Sequence, residues 1–254
     1  MRLKKGFTLA EILIVLMVIG VIATLTIPSL NNNVNKNTYA TALKTTSMSL
    51  TDKFRSQMAI EDVGMIGELR AFVNTSTVAA ADARAALLKE LSEFMLFSPA
   101  DHDHEVYCLD GTSPSAGDYT NNPWKKENMR KLPNGSLLTI YLYHQNGAAK
   151  TGEMAPLVLR SKGGELLIRY AVFCIDINGY KKPNRFGRDI FKFYLGQDGV
   201  LYPVGGYDAT LYELGKTEPS YSMTDQPKYN CLDEESKGFG CAGRIEDEDW
   251  KMLY

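Results

Sequence analysis

The stretch that decides the reading is Gly6-Phe7-Thr8-Leu9-Ala10-Glu11, followed by Ile12-Leu13-Ile14-Val15-Leu16-Met17-Val18-Ile19-Gly20-Val21-Ile22-Ala23. Arg2, Lys4 and Lys5 precede it. A lone carboxylate at the entrance of an apolar run is costly if that run enters hydrocarbon, so Glu11 calls for a partner. From Phe7 to Leu30 the chain would extend about 36 Å as a helix, enough for a bilayer core of roughly 30 Å. The basic residues ahead of it bias that end toward the cytoplasm. A secretory signal peptide shares the basic start and apolar core. Its cut should follow the core at a small-x-small site, and Ala23-Thr24-Leu25-Thr26 offers a poor one. Neither a signal peptide nor a plain signal anchor accounts for Glu11.

A basic leader ending in Gly6, a Glu five residues past the cut and an uninterrupted apolar run resemble the N-terminus of type IV prepilins and type II secretion pseudopilins. Pro28 adds to the likeness, which covers residues 1 to about 30. The resemblance implies cleavage by a prepilin peptidase between Gly6 and Phe7, N-methylation of Phe7 and retention of the apolar segment. It implies that Glu11 pairs with the N-terminal amine of a neighbouring subunit. It also implies other pilin or pseudopilin subunits, an assembly platform and an ATPase as partners. The expected location is a bacterial inner membrane, crossed once, with the N-terminus cytoplasmic and the head periplasmic or extracellular.

The expected fold is α+β: a long kinked N-terminal helix packed on an antiparallel sheet, pilin-like. Residues 1–6 are read as leader, 7–30 as the transmembrane half of the helix, 31–60 as its amphipathic half and 61–254 as the head. Pro28 lacks an N–H and is expected to kink the helix. Tyr39, Leu43, Leu50, Phe54 and Met58, with Thr46 between them, recur at three-and-four spacing and predict one buried face. Val63-Gly64-Met65-Ile66-Gly67 interrupts the pattern. A second helix is expected over about 79–97, with Ala83, Leu87, Leu91 and Met95 on one face. Residues 98–131, rich in Asp, Asn, Pro, Gly and Ser, read as surface loop.

Strand signals fill a meander over 136–202: Ser136–Tyr143, Pro156–Leu159, Glu165–Phe173, Asp189–Leu195 and a return at Val200–Tyr202. Gly163-Gly164 is the expected turn into the third of these. Cys108, Cys174, Cys231 and Cys241 allow three pairings. The short loop Cys231–Cys241 is favoured, with Cys108–Cys174 by elimination, in a disulfide-looped C-terminal tail. Glu246-Asp247-Glu248-Asp249 reads as a solvated acidic end.

Net charge is −2, which gives no general case for nucleic-acid binding. Asp176, Asn178, Asn184 and Asp189 are oxygen donors in a Gly-containing loop that loosely resembles the calcium-binding loop of major pseudopilins. Lys181, Lys182, Arg185 and Arg188 in the same loop oppose a bound cation. Asp101-His102-Asp103-His104 offers two imidazoles without a visible third ligand set, and reads as a solvated loop. With His144 the only other histidine, and no nucleotide loop or hydrolase elbow, the chain is expected to be a structural subunit rather than an enzyme. A minor or tip subunit, whose head binds a surface, a secreted substrate or DNA through 98–131, is the alternative. A membrane-anchored exported enzyme has only the size of the head in its favour.

Overall fold

A computed structural model describes residues 8–75, 80–104, 125–142, 157–161, 164–168, 171–205, 210–213, 221–222, 231, 238 and 240–254. The chain divides into two compact units, Met1–Thr38 and Tyr39–Tyr254. The second therefore begins well inside the helix that sequence reading split near residue 30.

Helix α1 covers Leu9–Glu61 and is assigned unbroken through Pro28. The side chain of Pro28 lies outside the described set, and a kink there stays an expectation. In the first unit the large apolar side chains from Leu9 to Ile22 are exposed, Leu9 by 79 % and Met17 by 73 %. Two threonines in this run return their hydroxyls to the helix: Thr24 Oγ1 donates to the Val21 carbonyl at 2.8 Å and Thr26 Oγ1 to that of Ile22 at 2.9 Å. Neither then presents an unsatisfied donor on an apolar surface. Among the described residues, no helix is long and apolar enough to cross a membrane. The side chains of Leu25 and residues 27–34 are not among those described.

In the second unit the predicted stripe is buried: Leu43, Thr46, Leu50, Phe54 and Met58, with Ser47 beside them. The helix ends where Asp62 adopts φ 52°. A 3₁₀ turn, Ile66–Glu68, leads to α2 (Arg70–Thr75) and α3 (Ala80–Leu91). Leu87, Leu88, Leu91 and Met95 enter the core, while the side chain of Ala83 lies outside the described residues. Phe54 of α1 meets Phe72, Phe94 and Phe173 with ring centroids 6.5, 6.3 and 5.7 Å away. One ring thus joins α1, α2 and the turn after α3 to the sheet.

Two antiparallel sheets complete the unit. The first runs β1 (Ser98–Pro99), β2 (Met129–Lys131), β3 (Leu137–Leu142), β6 (Ala171–Asp176), β7 (Ile190–Leu195) and β8 (Leu201–Pro203) in that spatial order. The second orders β10 (Tyr221–Ser222), β9 (Thr210–Glu213), β4 (Leu157–Ser161) and β5 (Gly164–Ile168). The fold is thus α+β with a six-stranded antiparallel sheet. In that sheet the pleat sets Leu138, Ile175 and Phe191 in one row and Ile140, Phe173 and Phe193 in the next, all buried in the core with α1. Residues of β6 and β7 are buried on both faces, so their sequences run apolar without clean alternation.

Four expectations need correction. The single meander is two sheets, because β3 pairs with β6 while the β4–β5 hairpin joins the other. Glu165–Phe173 is not one strand. Its halves, β5 and β6, belong to different sheets, and strand propensity on both sides of Arg169 does not show such a change of partner. Gly164 is already in β5, paired with Ser161, so it is a strand residue rather than a turn residue, and Gly163 lies outside the described residues. The 98–131 loop has a strand at each end, β1 and β2, paired Ser98 with Lys131 and Pro99 with Arg130.

The acidic C-terminal end is solvated at Glu246, Asp247 and Asp249, which are exposed, but it does not form a free tail. It belongs partly to α4 (Cys241–Asp247), which buries Cys241, Ala242 and Ile245. Partial desolvation raises the Glu246 carboxyl above its ordinary value, helped by the neighbouring charge of Asp247. Arg244 pairs with Glu248 at 2.8 Å, and the Tyr254 hydroxyl donates to the Gly187 carbonyl at 2.8 Å. Alternating small and apolar residues in a short segment carried too little periodicity to show that this end packs.

Candidate functional site

The first candidate site is the start of α1. Thr8 stands just before the helix and Glu11 is its third residue. The Glu11 amide donates to Thr8 Oγ1 at 3.3 Å. In return, Glu11 Oε2 accepts the Thr8 amide at 2.8 Å and the Thr8 hydroxyl at 2.8 Å. This is a capping box, in which two of the orphan donors at a helix N-terminus are satisfied reciprocally. Sequence reading gave Glu11 a partner on a neighbouring subunit and did not give it this cap. The Thr-x-x-Glu spacing before an apolar run was the signal for the box. Within the subunit the carboxylate has a local holder, and its second oxygen has no bond in this cap. Gly6 and Phe7 lie outside the described residues.

The second candidate site is the connection from β6 to β7. Asp189 is fully buried and acts as its hub. Its carboxylate accepts the backbone amides of Asn184 at 2.8 Å and Arg185 at 2.6 Å, and the Asn178 side-chain amide at 3.1 Å. Asp176 Oδ1 accepts the Asn178 amide at 3.1 Å. The four oxygen-donor residues singled out in the sequence are therefore brought together. Asn178 Oδ1 and Asn184 Oδ1 are buried and accept no hydrogen bond. Two glycines are required here. Gly179 has φ 70°, and a Cβ on it would come within 2.8 Å of the Gly135 carbonyl oxygen. Gly187 has φ 75°, and its Cβ would collide with Cys241 Sγ.

Sequence reading missed His104 at this site. Its Nε2 lies 3.0 Å from Asp176 Oδ2, and both side chains are buried. Burial pushes the Asp176 carboxyl up to about 6, the His104 hydrogen bond pulls it back, and the Asp189 charge pushes it further. The segment leading to His104 is clamped by Tyr180. The Tyr180 hydroxyl accepts the amides of Asp101 and His102 at 3.1 and 3.2 Å and donates to the His102 carbonyl at 2.8 Å. The His102 ring stacks on Tyr180 with centroids 3.8 Å apart. The solvated-loop expectation for 101–104 is thus corrected at His104: Asp101, His102 and Asp103 are exposed, and the packing of His104 against a loop distant in sequence had no local signature. Among the described residues no group of three His, Cys, Asp or Glu is placed to hold a metal ion.

Cys231 and Cys241 are joined by a disulfide, with Cα atoms 4.6 Å apart. Cys174 is also disulfide-bonded. Cys108 and His144 lie outside the described residues.

Residues 1–27 match the family model for the prokaryotic N-terminal methylation motif. The chain carries the prepilin-type signature of type IV pilins and pseudopilins. Neither the curated proteins nor the solved structures compared with the chain gave a match. A prepilin-type N-terminus implies processing by a peptidase and assembly with other pilin subunits, and it suggests a structural subunit rather than an enzyme.

Proposed function

We propose that this chain is the precursor of a structural subunit of a type IV pilus or type II secretion pseudopilus. The observation that carries the reading is the methylation motif at residues 1–27. A prepilin peptidase cuts between Gly6 and Phe7 and Phe7 is N-methylated. The segment from Phe7 to Leu30 anchors the subunit in the inner membrane, with Pro28 bending it. The exposed apolar side chains from Leu9 to Ile22 supply the surface that exchanges lipid for neighbouring helices on assembly. Van der Waals packing, rather than water exclusion, drives that exchange in lipid. Glu11 then pairs with the new amine of a neighbour and fixes the axial register, since opposite charges attract strongly in an apolar medium. The assembly platform and its ATPase supply the work of extraction.

Mass spectrometry of the mature N-terminus tests this reading. N-methyl-Phe7 is the expected terminus. A terminus beyond the apolar run, near Thr24 to Thr26, would overturn it.

Calcium in the β6–β7 loop is a second proposal, favoured by the two buried amide oxygens of Asn178 and Asn184 that accept nothing. Buried acceptors of this kind suit a hard cation with oxygen ligands. Asp176 would add charge. Asp189, already accepting three N–H groups, would add its own by sharing them. Titration calorimetry with calcium, read beside the melting temperature, is the test. Absence of heat together with an unchanged melting temperature would retire the site.

A further inference from the structure

The C-terminal segment converges on two residues of the β6–β7 loop. Cys241, the first residue of α4, packs its Sγ so closely on Gly187 that a Cβ on that glycine would collide with it. A Cβ on Gly238 would collide with the Phe186 carbonyl. From the far end of the segment, the Tyr254 hydroxyl donates to the Gly187 carbonyl at 2.8 Å. Three contacts from residues 238–254 therefore land on Phe186 and Gly187. Within the loop, the Asp189 carboxylate accepts the Asn184 and Arg185 amides, and the Gly187 amide donates to the Ile190 carbonyl at 3.0 Å. The loop is thus held twice, once by its own carboxylate and once by the C-terminal segment.

The Cys231–Cys241 bridge fastens the second hold. Helix α4 has 7 residues, too few to stand without tertiary support. It buries Cys241, Ala242 and Ile245, and the Gly243 amide donates to the Val204 carbonyl at 2.9 Å. The bridge adds a covalent tie from its first residue to Cys231, which packs against the core. Cys241 is 2 % exposed and Cys231 is half-buried, so an incoming thiolate meets Cys231 Sγ first. Reduction by a dithiol runs through a mixed disulfide at Cys231 and expels the Cys241 thiolate, which takes up a proton. The second thiol of the reductant then displaces Cys231 and closes its own disulfide. Two electrons and two protons have passed from the dithiol to the bridge. Two thiols need more room than the bridge did, and Cys241 has none on the Gly187 side.

We propose that the Cys231–Cys241 disulfide is a redox latch on the β6–β7 loop. Oxidised, it keeps Cys241 and Tyr254 on Gly187 and the loop closed around Asp189. Reduced, it frees the C-terminal segment from Cys231 and lets the loop open while the sheet stays folded. The inference does not need the filament reading, because all of its residues lie in the second unit. In a chain made in a reducing compartment and moved to an oxidising one, such a latch sets the loop only after the move. A bridge that is a general staple would instead stabilise the whole unit, with no preference for this loop.

The test uses reciprocity: if the bridge holds the loop, the loop holds the bridge. The full chain in detergent is equilibrated with mixtures of reduced and oxidised dithiothreitol. Thiols are trapped with iodoacetamide, and Cys231 and Cys241 are scored by mass spectrometry. Tyr254→Phe removes one hydrogen bond to the loop and leaves the bridge in place. It should lower the ratio of reduced to oxidised dithiothreitol at half-reduction by about three- to tenfold. Ser92→Ala, which removes a 2.6 Å hydrogen bond to the Leu88 carbonyl in the turn after α3, should leave that ratio unchanged. Near-ultraviolet circular dichroism should show the reduced chain still folded. In C231S, trypsin should cut after the exposed Arg185 and Arg188 on the order of a hundredfold faster than in the parent, as freeing a loop with a sequence separation of 10 implies. An unchanged ratio in Tyr254→Phe, or parent-like resistance of C231S to trypsin, would overturn the latch. Equal shifts in Tyr254→Phe and Ser92→Ala, or loss of the near-ultraviolet signal on reduction, would overturn it in favour of a general staple.

Discussion

Phe54→Ala should be among the most damaging single truncations in the head. Phe54 is fully buried and its ring meets Phe72 of α2, Phe94 in the turn after α3 and Phe173 of the sheet. Truncating a buried Phe costs about 3–5 kcal/mol through lost transfer energy and the cavity left behind. Three ring pairs, each adding roughly 0.5–1.5 kcal/mol, place this site at the upper end of that range. A domain of this size shifts its melting temperature by about 2–4 °C per kcal/mol, so the expected drop is on the order of 10–15 °C. Against a typical total stability of about 5–15 kcal/mol, such a loss removes a large share. The assay is thermal unfolding of the full chain in detergent, followed by near-ultraviolet circular dichroism. Met48→Ala is the control: it lies on the same helix but is 54 % exposed, and should stay within about 0.5 kcal/mol of the parent. A shift under 2 °C for Phe54→Ala, or equal shifts for both variants, would refute the assignment of the helix from Tyr39 onward to the head core.

Glu11→Gln keeps a side chain able to complete the capping box and removes the charge, whereas Glu11→Ala removes both. Both variants should be cleaved normally but enter filaments poorly, and normal incorporation of Glu11→Gln would show that charge pairing is not what Glu11 supplies. The Asp176 carboxyl, raised to about 6 by burial, binds more protons in the folded than in the unfolded state between about pH 4 and 6. Its contribution is therefore fully present below pH 4 and lost as pH rises through 6, making the head about 1 kcal/mol more stable at pH 5 than at pH 7 from this group alone. Comparing denaturation of the parent and Asp176→Asn at the two pH values isolates it. An identical pH dependence in both would remove Asp176 as its source. Opening the Cys231–Cys241 bridge by Cys231→Ser releases a loop with a sequence separation of 10 and should cost about 3 kcal/mol in the chain-entropy view. Denaturant midpoints measure this, and an unchanged midpoint would mean that packing of α4 alone holds the end.

The features legible in the sequence are those whose physics is local. The helix stripe from Leu43 to Met58 was readable because 3.6-residue periodicity depends only on neighbours along the chain. The strands β3 and β7 were readable for the same reason. The N-terminal signature was legible because a basic leader, a carboxylate and an apolar run are contiguous. The capping box was legible in principle, since Thr8 and Glu11 are three apart. The loop residues Asp176, Asn178, Asn184 and Asp189 were recognisable as a group because they lie within one turn-rich segment.

What only the tertiary structure decided is everything that depends on partners far along the chain. Asp176 meets His104 across 72 positions, and Asn178 meets Tyr39 across 139. No period or spacing encodes such pairs. The split of residues 165–173 between two sheets is of the same kind, because strand propensity on either side of Arg169 does not choose which strand each half pairs with. By itself the sequence determined how the chain is marked for processing and which face of its long helix is apolar. The fold determined which charges were buried and which were left outside: Asp176 and Asp189 are buried among the hydrogen-bond donors of His104 and the loop, while Lys181, Lys182, Arg185 and Arg188 face solvent.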